Sequence, residues 1–167
     1  MMNRLYALLL IFASLVSCIK EGTGQQELVA GDHLPDFVVT MSDGAQVSGK
    51  QLSSGVSCVV FFTTACPDCR NTLPHLQRLY EEYASCGVKF ALISREEGAE
   101  SIAAYWDSEA FTMPYSAQDD RIVYELFAKT RVPRVYICKE GIIKAIFTDQ
   151  PQTPTFDDMR TALESTF

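Results

Sequence analysis

Two thiols three residues apart, in Cys66-Pro67-Asp68-Cys69, constrain this chain more than any other feature. They follow the apolar run Val59-Val60-Phe61-Phe62, which reads as the end of a buried strand, and they precede a helical pattern over Leu73 to Tyr83. Between a strand and a helix, positions i and i+3 both fall in the first helical turn. Cys66 then meets unpaired backbone N–H groups, which favour a thiolate there. Cys69, one turn further in, is placed to attack a mixed disulfide formed by Cys66. Pro67 suits the first helical position, where its missing N–H costs nothing. Taken alone, such a pair is also compatible with half of a metal site or with coincidence.

The rest of the composition narrows the choice. A chain of 167 residues with 47% hydrophobic and 21% charged residues suits one domain with a real core. A net charge of −7 argues against broad nucleic-acid binding. No second Cys-x-x-Cys and no paired histidines accompany the first pair, so no metal site is expected. His33 and His75 are expected in structural or surface roles.

The first 17 residues read as a targeting segment to be left out of the fold. Arg4 supplies the positive end, and Leu5 to Val16 is nearly unbroken apolar sequence, shorter than the roughly 20 residues of a spanning helix. It ends in Leu15-Val16-Ser17-Cys18, which resembles the bacterial lipobox; by that resemblance the mature chain starts at a lipidated Cys18. An alternative is a plain signal peptide with an incidental cysteine. Either places the domain outside the cytoplasm, where disulfides persist. Residues 18–28 read as a flexible tether, and residues 29–167 as the folded domain.

Within that domain, Asp36 to Thr40 reads as a first strand, with Gln46-Val47 returning as its hairpin partner across Ser42-Asp43-Gly44. Val56 to Phe62 is a strand, and Leu73, Leu76, Leu79, Tyr80 and Tyr83 give the following helix an apolar face, with Pro74 inside it. Val88 to Ser94 is a second continuous strand, so the unit is a right-handed parallel crossover. A helix over Ala99 to Ser108, a short extended piece at Met113-Pro114-Tyr115, and a helix over Arg121 to Lys129 follow. The last of these is expected to turn Ile122, Val123, Leu126 and Phe127 inward. Val132-Pro133 leads into a strand over Arg134 to Cys138, Lys139-Glu140-Gly141 turns the chain, and Ile142 to Phe147 returns antiparallel. Thr155 caps a final helix.

This order of elements resembles the thioredoxin fold, and its details are similar to the membrane-tethered TlpA/ResA-like thiol–disulfide oxidoreductases. Gly31-Asp32-His33-Leu34-Pro35-Asp36-Phe37 is similar to that branch's opening Gly-Asp-x-x-Pro-Asp-Phe. Phe61 to Arg70 looks like its Phe-Trp-Ala-Thr-Trp-Cys-Pro-Pro-Cys-Arg, and Val132-Pro133 matches its cis-proline site. The likeness covers about residues 29–165. It implies a central mixed β-sheet flanked by helices, with the N-terminal β-hairpin as an extension. It further implies Cys66 as attacking thiol, Cys69 as resolving thiol, and Pro67 and Asp68 in support. Pro133 would be cis beside them, with the backbone of Val132 offered to a substrate peptide. No cofactor beyond the Cys66–Cys69 disulfide is implied. The implied partners are protein or peptide disulfides, a membrane-linked electron donor, and a membrane bound through the lipid. The implied setting is the cell envelope, facing the periplasm; Ile19 after Cys18 favours the outer membrane.

The chain departs from that pattern in several places. Ala65 stands where the family has Trp, Arg134 where Thr is usual, and neither Val60 nor Thr72 supplies the acid found there in relatives. Asp68 disfavours a neighbouring thiolate and so favours the disulfide, the poise of a reductase. Arg70, Arg131 and Arg134 would oppose it if they project towards the thiols. Cys58, Cys86 and Cys138 are expected as buried, inert thiols, with a Cys58–Cys138 disulfide as the lesser alternative. Two rival functions remain: a non-catalytic thioredoxin-like binding module, and a peroxiredoxin-type peroxidase. The second has Thr63-x-x-Cys66 in its favour and Val59 in place of the needed proline against it.

Overall fold

The computed structural model describes residues 27–167; the leader, Cys18 and the tether up to residue 26 lie outside the described residues. The centre is a five-stranded sheet in the order β5-β4-β3-β6-β7. Its middle strand, β3 (Val56–Phe62), is buried at every residue, as a continuous apolar run covered on both faces requires. β4 (Lys89–Ser94) pairs with it in parallel and β6 (Arg134–Lys139) antiparallel. The outer strands are β5 (Tyr115–Ser116), parallel to β4, and β7 (Ile142–Phe147), antiparallel to β6.

The helices follow from the crossovers. α2 (Pro67–Tyr83) links β3 to β4, and α3 (Ala99–Glu109) links β4 to β5. Both connections join parallel strands in the same outward direction, so right-handedness puts both helices on one face. Phe62 on that face stacks against Trp106 of α3 at 5.1 Å. The Gln77 amide of α2 bridges to Thr112 just beyond α3. α5 (Phe156–Glu164) packs beside α2, with Thr155 and Asp158 forming its capping box. On the other face, Phe61 meets Tyr124, Phe127 and Tyr136, and Phe127 meets Phe37 of the N-terminal segment. That segment forms the hairpin β1 (Val38–Thr40) and β2 (Gln46–Ser48), followed by the short α1 (Gly49–Leu52). Gly49 is required there, since a Cβ would lie 2.1 Å from the Pro35 carbonyl oxygen.

Three expectations need correction: the length of one helix, the inward place of Ile122 and the burial of Cys86. The helix expected over Arg121 to Lys129 is only α4 (Ile122–Glu125). Beyond it the amides of Leu126 and Phe127 tighten to bonds three residues back, Ala128 N–H still donates to the Tyr124 carbonyl at 3.0 Å, and the turn ends where the Glu27 carboxylate accepts from Lys129 N–H and Thr130 N–H. With the helix this short, Val123, Tyr124, Phe127 and Ala128 turn inward, while Ile122 stays 69% exposed. Cys86 is exposed, in the 3-10 turn Ala84–Cys86 that tails α2 and ends at Gly87 with φ 90°. Cys58 and Cys138, by contrast, are buried and free as expected. Cys138 lies directly opposite Ser57, so the pleat sends the two thiols to opposite faces and a disulfide between them is excluded. At the N-terminal end of the described residues, Leu28 N–H donates to the Phe127 carbonyl at 2.9 Å, and Glu27 is bound as described above.

Candidate active site

The thiol turn sits at the carboxyl end of β3. Cys66 is the N-cap of α2 and Pro67 its first residue, so Cys69 stands at the third helical position. Arg70 N–H donates to the Cys66 carbonyl at 3.0 Å, which closes the first turn. Cys66 is partly exposed, whereas Cys69 is fully buried behind it. The two thiols therefore differ in access although they share one turn.

Opposite Cys66 lies the loop before β6. The Val132–Pro133 peptide is cis, and the Cys66 thiol approaches the Val132 carbonyl oxygen at 3.5 Å. The sequence motifs thus meet: 66 residues apart in the chain, they face each other across the edge of the sheet. Pro67 and Asp68 lie in the same turn; the Asp68 carbonyl accepts from the buried Thr72 hydroxyl at 2.8 Å. Ala65, just ahead of Cys66, is exposed.

The electrostatics centre on Cys69. Burial pushes its thiol well above the ordinary thiol range. A hydrogen bond from the Thr63 backbone and the charge of Arg95 act in the opposite direction, and Cys66 adds to the rise. Arg70, Arg131 and Arg134 are engaged elsewhere. Arg70 Nε donates to the Thr64 carbonyl at 2.5 Å, with its guanidinium 5.2 Å from the Tyr105 ring. Arg131 pairs with Asp149 at 3.0 Å, and Arg134 is buried and pairs with Glu27 at 2.7 Å.

Two residues at this site escaped the sequence reading, and both belong to the loop after β4. The Arg95 guanidinium lies 5.8 Å from the Tyr124 ring, and its Nε is buried without a hydrogen-bond partner. The Glu97 carboxylate accepts from Thr64 N–H at 2.6 Å and from the Thr64 hydroxyl. With Arg70 on its carbonyl, Thr64 is held from both sides, two residues ahead of Cys66. The signal was topological. β3 and β4 are parallel neighbours, with Phe62 level with Ser94, so the loops leaving their carboxyl ends must adjoin.

Among the described residues there is no cluster of three or more metal-ligating side chains, and no helix is long and apolar enough to cross a membrane.

A partly exposed thiol at a helix N-cap, a buried second thiol one turn on and the Val132 carbonyl beside a cis proline thus meet at one end of a thioredoxin-like scaffold. The chain belongs to the AhpC/TSA family, whose model matches residues 30–146. The thiol–disulfide oxidoreductase ResA of Halalkalibacterium halodurans is 22% identical over 111 residues, 66% of this chain and 63% of that protein. ResA of Bacillus subtilis is 21% identical over 126 residues, 75% of this chain and 70% of its own. The chain thus spans less than two thirds of the first relative's length. The thioredoxin domain of a thiol–disulfide oxidoreductase from Bacteroides vulgatus superposes with a TM-score of 0.70 at 20% identity, covering 83% of this chain and 98% of that one. The fold is the thioredoxin fold, and within its family the chain is similar to the ResA proteins.

Proposed function

We propose that this protein is a lipid-anchored, extracytoplasmic thiol–disulfide oxidoreductase that reduces protein disulfides through Cys66 and Cys69. The observation that carries the reading is the meeting of the half-exposed Cys66 thiol with the Val132 carbonyl beside a cis proline. In the reaction, the Cys66 thiolate attacks one sulfur of a substrate disulfide and expels the other as a thiolate, which takes up a proton. Cys69 then loses its proton and attacks Cys66 Sγ. The second substrate sulfur leaves as a thiol, and the electron pair remains with the substrate as the Cys66–Cys69 disulfide forms. An electron donor at the membrane would return two electrons and two protons. Cys18 would carry the lipid, and the domain would face the periplasm, with the outer membrane as the favoured address. Asp68 would favour the disulfide form of the pair and so make the dithiol a better reductant of its substrates.

Insulin reduction by the wild type and by Cys66→Ser tests this reading. Loss of turnover in the variant supports it, and equal rates would leave only a thioredoxin-like binding module. The peroxidase alternative shares the family, but Val59 is buried inside β3. The Thr63 hydroxyl accepts from Ala65 N–H at 3.2 Å. Peroxide consumption by the reduced protein, faster than its insulin reduction, would favour that alternative.

A further inference from the structure

Arg134 does more than start a strand. Its guanidinium is buried, and it reaches back four residues: Nε donates to the Thr130 carbonyl at 3.1 Å and Nη2 to the same oxygen at 2.9 Å. Nη2 also donates to Glu27 Oε2 at 2.7 Å. The other Glu27 oxygen accepts from Lys129 N–H at 3.1 Å, Thr130 N–H at 3.3 Å and the Thr130 hydroxyl at 3.4 Å. One carboxylate and one guanidinium therefore close the segment 129–134 into a ring. The backbone inside the ring cannot settle there alone. Arg131 has φ 71°, a left-handed conformation unusual for a residue with a side chain, and its carbonyl is held by the Tyr124 hydroxyl at 2.7 Å. The next residue is Val132, whose carbonyl faces Cys66.

We infer that Glu27 and Arg134 are positioning residues that set the Val132–Pro133 backbone against which a substrate polypeptide aligns for attack by Cys66. The inference rests on the oxidoreductase reading above and adds what governs its polypeptide selectivity. Glu27 thereby joins the N-terminal end of the domain to the loop that faces Cys66. Arg134 cannot be replaced by a shorter donor without releasing the Thr130 carbonyl, and Glu27 cannot be neutralised without leaving a buried cation unpaired. Neither touches the thiols, so the chemistry of Cys66 with a disulfide that has no backbone to align is independent of them.

That separation is the test. Full-length protein is reduced, freed of reductant and mixed in single turnover with a disulfide-bonded peptide or with hydroxyethyl disulfide. Oxidation of Cys66 and Cys69 is followed by alkylation and mass. For Glu27→Ala we expect the second-order rate constant with the peptide to fall about tenfold, the scale of a small misplacement of a binding group, and that with hydroxyethyl disulfide to change less than about twofold. Glu27→Gln, which keeps an acceptor for the Lys129 and Thr130 amides, should recover part of the loss. It also serves if the alanine variant does not fold. Equal losses on both disulfides would reduce the pair to a fold-stabilising contact and overturn the inference. So would an unchanged rate with the peptide. Wild-type protein that reacts with neither disulfide would instead remove the oxidoreductase reading, and the inference with it.

Discussion

Two sets of cysteines share this sheet and meet opposite fates. Cys58 and Cys138 lie inside β3 and β6, fully buried, and the pleat points them to opposite faces. Cys66 and Cys69 lie just past the end of β3, where the strand gives way to the first turn of α2. The inner pair is held protonated by burial, which pushes Cys138 up to about 12 and Cys58 higher still. Burial acts on Cys69 in the same direction, but only there do the Thr63 backbone and Arg95 pull back. The difference lies in address. A thiol inside a strand has only side chains for neighbours, whereas one at a helix start has amide donors, a partner thiol and a loop to face.

The largest effect expected from breaking the comparison is on turnover. Cys66→Ser should lower insulin reduction roughly 1,000-fold or more, as removal of a nucleophile does, whereas Cys58→Ala with Cys138→Ala should stay within about threefold of wild type. Steady-state turbidity assays on the two variants check this. A collapse in the double variant at retained fold would mean that the inner thiols belong to the redox centre. Next in size, Cys69→Ser should leave the first attack intact while turnover falls about 100-fold, because the mixed disulfide on Cys66 is no longer resolved. Mass spectrometry should find that adduct on Cys66, and its absence would count against the order of events.

How far the site could be read in advance follows from which contacts are local. β3 appears over the span its apolar run predicts, because seven residues covered on both faces leave no alternation to misread. The place of Pro67 at the helix start is equally local. The failed helix after Arg121 is not. Its last expected amide, that of Lys129, is captured by Glu27, 102 residues away, and no window of sequence contains both partners. Arg95 and Glu97 were missed for the same reason. As residues, they are two charges in a polar loop, and only the parallel register of β3 and β4 brings them to the thiol turn.

A third effect, of moderate size, separates the two inner thiols. Cys58→Ser puts a hydroxyl into an apolar site and should cost about 1–3 kcal/mol. Cys138→Ser should cost clearly less, because the Ser57 hydroxyl directly opposite is buried without a partner and can pair with the new one. Urea unfolding at neutral pH checks the order, and equal costs would deny the pairing. The same thiols set an alkaline limit. Their folded values are raised, so the stability they contribute is fully present below about pH 8.5, where unfolded thiols begin to ionise, and is lost progressively as the pH rises towards those folded values. Unfolding midpoints of the reduced protein should therefore fall above that pH, and less steeply in Cys58→Ala.

The smallest effect concerns the charge that distinguishes Cys69 from the inner thiols. If Arg95 helps Cys69 to ionise, Arg95→Gln should slow resolution of the mixed disulfide about threefold, the scale of one charge acting through a partly polar medium. Below the Cys69 value the thiolate fraction grows tenfold per pH unit in both proteins. The two rate profiles should therefore be parallel and displaced by a constant factor. The first attack, measured in the Cys69→Ser background, should not change, because the charge is exerted on the buried thiol. A loss shared by both steps would show that Arg95 supports the turn mechanically, through the Arg95 N–H that donates to the Phe62 carbonyl at 2.8 Å and the neighbouring Glu97–Thr64 contact. A displacement confined to resolution would mean that this chain uses a cation on the loop of the neighbouring parallel strand to favour the thiolate itself.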